Sequence, residues 1–249
     1  MSEARSPAKW EITLWTHDGI KKSVLEGHPD VVTDVDFSPN SERLASASND
    51  STVRLWRLDG SLELTLEGHS APVLDVDFSP NGERLISADT DGIAKIWNRS
   101  GELLSTIEGH SNKILDVEMS PKGDLLATAS SDNDIKLWSP NGELKRTLSG
   151  HEDSVYHLSF SPDGKVLASA SADSTVRLWS RNGNLLKVLQ GPKDFIFSVS
   201  FSPDGQIIAA ASADGEINFW HRNGLLIDTI QRDPETFQDI AFNPKDSTF

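Results

Sequence analysis

"GHPDVVTDVDFSPNSERLASASNDSTVRLWRLDGSLELTLE", residues 27–67, holds four short apolar runs separated by turn signals. "VVTDVDF" is rich in β-branched residues and reads as a strand. "SPNSE" is a turn. "RLASAS" is a second strand whose small side chains permit close sheet-to-sheet approach. "NDS" is a tight turn in which Asp50 can bond its own backbone. "TVRLW" is a third strand and "LELTLE" a fourth. Between them "RLDGS" reads as a hairpin turn, with Asp59-Gly60 suited to positive φ at both central positions.

The same stretch recurs. Trp15, Trp56, Trp97, Trp138, Trp179 and Trp220 are spaced by 41 residues, as are Pro39, Pro80, Pro121, Pro162, Pro203 and Pro244. Five complete units occupy 27–67, 68–108, 109–149, 150–190 and 191–231. The two ends share a sixth: residues 10–26 supply its third and fourth strands, and "TFQDIAF" within 232–249 its first. Periods near forty residues point to propeller blades. A four-stranded sheet of this length cannot cover both its faces, but radial stacking makes each sheet cover the next. The expected fold is all-β: a single β-propeller of six four-stranded antiparallel blades. The second strand of blade six is the weak point, since "SEARSPAK" is polar and carries Pro7. A closed ring with a weak seam and a piece of a longer propeller both fit.

Gly-His, Phe-Ser-Pro-Asp-Gly, Ser-x-Asp and a closing Trp resemble the WD-repeat β-propellers, most closely their regular bacterial versions. The likeness covers nearly the whole chain. One departure is that no column Trp is followed by Asp. The resemblance implies a buried hydrogen-bonded set in each blade. The matching residues are His28, Ser46, Asp50 and Trp56; His69, Ser87, Asp91 and Trp97; His110, Thr128, Asp132 and Trp138; and His151, Ser169, Asp173 and Trp179. An indole N–H needs an acceptor, a hydroxyl passes the bond on, and imidazole bridges hydroxyl to carboxylate. Histidine, serine and aspartate in reach of one another also suggest a hydrolase triad. The set recurs in four blades without a nucleophile-elbow motif, so the structural reading is preferred. Blade five has Pro192, Ala210, Asp214 and Trp220 instead. Its His and Ser are lost together, which leaves the Trp220 indole without the usual hydroxyl.

The chain has 249 residues, 38 acids against 23 bases and no cysteine. A net charge of -15 argues against nucleic acid or an anionic membrane as partner. It suits a basic or neutral protein or peptide. No signal peptide or apolar membrane span is visible, and the lack of thiols is compatible with a reducing compartment, so a soluble cytoplasmic protein is expected. No catalytic residue, metal motif or cofactor loop stands out, and no cofactor is expected.

In the first strand, the columns flanking the core column of Val32 are chemically mixed, as an exposed rim would be. Leu74, Leu115, Tyr156, Phe195 and Phe197 would form an apolar arc at the channel mouth, where the family commonly meets partners. Phe195 and Phe197 either anchor a partner or fold inward where the histidine is missing. Asp34, Asp75, Asp116 and Asp239 share a column near the channel and could attract a basic peptide or a hard cation, or simply be a solvated acidic surface. The function expected is a non-catalytic scaffold that binds protein or peptide. The alternative is a fragment or assembly unit of a larger bacterial signalling or sensor protein, oligomeric through a sixth blade completed by another segment or chain.

Overall fold

The computed structural model describes residues 10–231 and 239–243. A hairpin comes first, β1 (Glu11–Trp15) and β2 (Lys21–Glu26). Blade one is β3 (Val32–Phe37), β4 (Arg43–Ser48), β5 (Val53–Arg57) and β6 (Leu62–Leu66). Blade two is β7 (Val73–Phe78), β8 (Arg84–Asp89), β9 (Ile93–Asn98) and β10 (Leu103–Glu108). Blade three is β11 (Ile114–Met119), β12 (Leu126–Ser130), β13 (Ile135–Trp138) and β14 (Leu144–Leu148). Blade four is β15 (Val155–Phe160), β16 (Val166–Ser171), β17 (Val176–Ser180) and β18 (Leu185–Leu189). Blade five is β19 (Ile196–Phe201), β20 (Ile207–Ser212), β21 (Glu216–His221) and β22 (Leu226–Gln231). Each of these five blades is an antiparallel meander, while β1 and β2 form a two-stranded sheet. The first strands of successive blades are neighbours and line a central channel. Among the described residues there is no helix, and hence none long and apolar enough to cross a membrane.

The core lies between blades. Ala45, Ala47, Val53 and Leu55 of blade one pack against Val73, Val76, Phe78 and Trp97 of blade two. The pattern repeats: Trp138 packs on blade two, Trp179 on blade three and Trp220 on blade four. The alanines of the second strand sit at these interfaces, where the sheets approach closely, and blade two places Ile86 in the column of Ala45. Trp56 packs against Leu14 and Leu25, so the β1–β2 hairpin occupies the outer half of blade six. Ile240 and Phe242 lie on the opposite flank, against Ala209, Ala211 and Phe219 of blade five. Thr236, Phe237 and Gln238 of "TFQDIAF" lie outside the described residues.

Arginines tie blades together at one rim. Arg43 Nη1 donates to Arg99 O at 3.1 Å, Arg181 reaches Asp124 at 2.6 Å and Arg222 reaches Asp163 at 3.1 Å. Arg84 donates to the Pro140 carbonyl and to Asn141.

Two local expectations need correction. At Asp59-Gly60 only the glycine has positive φ, +97°. Arg57 N–H bonds Ser61 O and Gly60 N–H bonds Arg57 O, so the loop has three residues and a bulge, not two residues in a mirror-image turn. Strand alternation, which would put the columns flanking Val32 on the side opposite it, also fails in the first strand. The register slips between Val32 and Asp34, and again at the matching place in blades two to five. The extra residue of each bulge is Thr33, Leu74, Leu115, Tyr156 and Phe197.

Candidate functional site

Those bulges build an apolar concavity. An extra residue in one strand is left out of the ladder and re-aimed. Here that turns Leu74, Leu115, Tyr156 and Phe197 away from the blade interfaces, where Val73 and Val76 remain buried. Together with Val31, Val32 and Thr33 they line a groove of about 520 Å³. Tyr156 and Phe197 touch as a tilted aromatic pair with centroids 5.4 Å apart. Thr33 Oγ1 donates to Val73 O at 2.7 Å, fixing the groove's end at blade one. Phe195 is not part of the lining. It is 44% exposed and sits before the bulge, on the loop leading into β19. The spacing of three between Val73 and Val76, followed by two to Phe78, is the sequence signal that could have disclosed the bulge.

Beneath the groove the first strands of neighbouring blades are bridged by acidic side chains. Asp34 accepts from Val76 N–H at 3.2 Å, Asp75 from Val117 N–H at 2.7 Å and Asp116 from Leu158 N–H at 2.9 Å. One step along, Asp36, Asp77 and Glu118 accept from the amides of Phe78, Met119 and Phe160. Ser198 Oγ takes up the role in blade five, receiving Ile240 N–H and donating to Asp239 Oδ1 at 2.6 Å. The acidic residues, with His157, line a central cavity of about 270 Å³. Burial drives their carboxyls up: Asp36 and Asp116 to about 6, Glu118 to about 8, and Asp75 and Asp77 well above the usual range. Neighbouring carboxylates add to the rise at Asp75 and Asp77. The acidic columns therefore act as inter-blade ties, and protonation lowers the charge they show to the channel. Among the described residues no group of three or more His, Asp or Glu is arranged to hold a metal ion.

The buried polar sets are on the opposite flank of each blade. Trp56 Nε1 donates to Ser46 Oγ at 2.8 Å, Ser46 faces His28 Nε2 at 2.7 Å, and His28 Nδ1 faces Asp50 at 2.7 Å. Trp138, Thr128, His110 and Asp132 repeat the chain, as do Trp179, Ser169, His151 and Asp173. Burial holds His28, His110 and His151 below the usual imidazole range. Their neutral rings therefore donate from Nδ1 to the carboxylate and accept the hydroxyl proton at Nε2.

Blade two departs from expectation. His69 Nδ1 meets Asp89 at 2.7 Å, and Asp91 is exposed. Asp89 replaces the serine at the end of the second strand (Ser48, Ser130, Ser171 and Ser212 elsewhere). From there its carboxylate reaches the histidine and also accepts the turn amides of Asp91 and Ile93, both at 3.0 Å. In blade five Pro192 is buried and Ala210 offers no hydroxyl to Trp220. Asp214 instead holds its loop by accepting Lys193 N–H at 3.0 Å.

Five closed blades, a sixth half-built from the N-terminal hairpin, and an apolar groove over a lined channel define a six-bladed propeller of the repeat type. The family model described as IFT122 first beta-propeller matches residues 72–249, and that described as WD domain, G-beta repeat matches 19–57. The chain belongs to the WD-repeat β-propeller family, whose members are generally protein-interaction scaffolds and typically non-catalytic. No curated protein matches it.

Proposed function

We propose that this protein is a non-catalytic scaffold whose channel-mouth groove takes an apolar anchor from a protein or peptide partner. The carrying observation is the groove itself: bulge residues of four successive blades converge where a bulk-apolar side chain can be desolvated. Exposed apolar concavities of this kind mark interaction sites, and aromatic walls are frequent hot spots. The net charge of -15 favours a neutral or basic partner over nucleic acid or an anionic membrane. The lack of cysteine fits a reducing compartment such as the cytoplasm. A hydrolase reading is disfavoured because Ser46, Ser87, Thr128 and Ser169 are fully buried and each is occupied by an indole N–H.

The test is a partner selected from a displayed peptide library, followed by titration against variants that keep wild-type circular dichroism. Tyr156→Ala/Phe197→Ala should weaken binding at least about tenfold, the loss of roughly 1.4 kcal/mol or more. Phe195→Asp, outside the groove, should bind as wild type. Equal affinity for all three proteins rules the groove out.

A second reading is favoured by one observation. Trp15 is 61% exposed, whereas the other five column tryptophans are 1–2% exposed. On this reading the chain is an assembly unit of a larger protein, with blade six completed by another segment or chain. A mass above that of the 27.3 kDa monomer, rising with concentration, supports it.

A further inference from the structure

The seam at blade six shows three separate departures from the other blades. Among the described residues β1 pairs only with β2, and no described strand lies along its second edge. Trp15, on β1, is exposed. Val35 and Phe37, on β3, are 40% and 50% exposed, although Val76, Val117, Leu158 and Val199 in the first column are all 3% or less. These surfaces lie on different strands, and in the complete blades one element covers all three.

That element is the second strand. In blade four β16 pairs with β17 in the register Leu167↔Trp179, Ala168↔Leu178, Ser169↔Arg177 and Ala170↔Val176. Its Leu and Ser side chains face the tryptophan, and Ser169 accepts the indole N–H at 2.9 Å. The alanines of the second strand point the other way. In blade one Ala45 and Ala47 lie against Val76 and Phe78, the counterparts of Val35 and Phe37.

Resting on the assembly reading above, we propose that the seam is a strand-accepting site for an extended segment of the pattern Leu-Ala-Ser-Ala-Ser, supplied by a separate chain. The segment pairs antiparallel with β1, its Leu opposite Trp15, its first Ala opposite Leu14 and its first Ser opposite Thr13. That serine takes the Trp15 indole N–H. The alanines close on Val35 and Phe37; the second of the two positions is alanine in all five complete blades, Ala47, Ala88, Ala129, Ala170 and Ala211, while Ile86 takes the first in blade two. The main chain supplies affinity through ladder bonds, and the alternating side chains set specificity.

The probe is a fluorescein-labelled peptide of residues 163–174, "DGKVLASASADS", titrated into the full chain by anisotropy. Saturable binding is expected. Ala168→Trp/Ala170→Trp in the peptide, or Trp15→Ala in the protein, should weaken it about tenfold or more. Register is read by disulfide trapping, made clean by the absence of native cysteine. Peptide Ser169→Cys should cross-link to Thr13→Cys and not to Ile12→Cys or Leu14→Cys. Tyr156→Ala/Phe197→Ala should leave the peptide's affinity unchanged. Indifference to the tryptophan peptide, or equal cross-linking at all three positions, overturns the proposal. Absence of binding overturns it too. In that case a concentration-dependent dimer leaves the assembly reading standing, whereas a monomer removes both.

Discussion

Asp89 and Asp91 are two positions apart and do different work. Asp89 holds the buried His69 Nδ1–H and two turn amides, while Asp91 faces solvent. Removing Asp89 leaves buried donors unpaired, so Asp89→Ala should cost about 2–3 kcal/mol. Asp91→Ala should stay within about 0.5 kcal/mol. Urea denaturation of the two variants separates them; equal losses would restore Asp91 to the buried set. The repeat register pointed to Asp91 because it aligns with Asp50, Asp132 and Asp173. The register records positions along the chain, but a carboxylate one strand-end earlier can reach the same imidazole. The turn here ends in Gly92 at φ +79°, with a would-be Cβ only 2.6 Å from Asn112 O. Glycine at that point lets the turn nest against the next blade.

At the scale of the element, equal sequence columns carry unequal loads. Trp138 is sealed between blades two and three and its indole is satisfied by Thr128. Trp138→Ala should cost about 3–5 kcal/mol. Trp15 occupies the same column, yet Trp15→Ala should cost less than about 1 kcal/mol because most of its surface is already in water. Comparable denaturation midpoints for the two variants would contradict this placement of the hairpin. The period alone assigns both residues one role. Which is buried depends on whether a neighbouring sheet is in place, a fact about the ring and not the repeat. The bulges teach the same lesson. Their sequence trace is a spacing of three, easily read as noise, and they decide which side chains reach the groove.

For the whole molecule, the ring of carboxylates gives stability a pH dependence with a definite sign. Burial raises Glu118 from the usual 4.5 to about 8. Between those values the folded protein keeps a proton that the unfolded chain releases. Stability therefore falls as pH rises through that window, with a slope approaching about 1.4 kcal/mol per pH unit for one proton, and levels off above it. The buried neutral histidines act oppositely, but on the acid side of their usual 6.5. The interval from pH 6.5 to 8 isolates the acidic contribution. Glu118→Gln keeps an oxygen for the Phe160 amide and loses the titration. Its urea midpoint should fall less over that interval than that of the wild type. Parallel profiles would mean that Glu118 holds no extra proton.

By itself the sequence determined the blade: four strands, their turn residues, the 41-residue register and the hydroxyl–imidazole–indole sets. These are local or recur at fixed spacing, so side-chain pattern and turn chemistry suffice to write them. Only the tertiary structure decided how blades meet. It put the aspartates of one inner strand on the amides of the next, gathered four bulge residues into a groove while leaving Phe195 outside, and left Trp15 exposed. Each of those outcomes depends on contacts between residues about one repeat or more apart. Their geometry is set by the packing angle of neighbouring sheets, which no single repeat encodes.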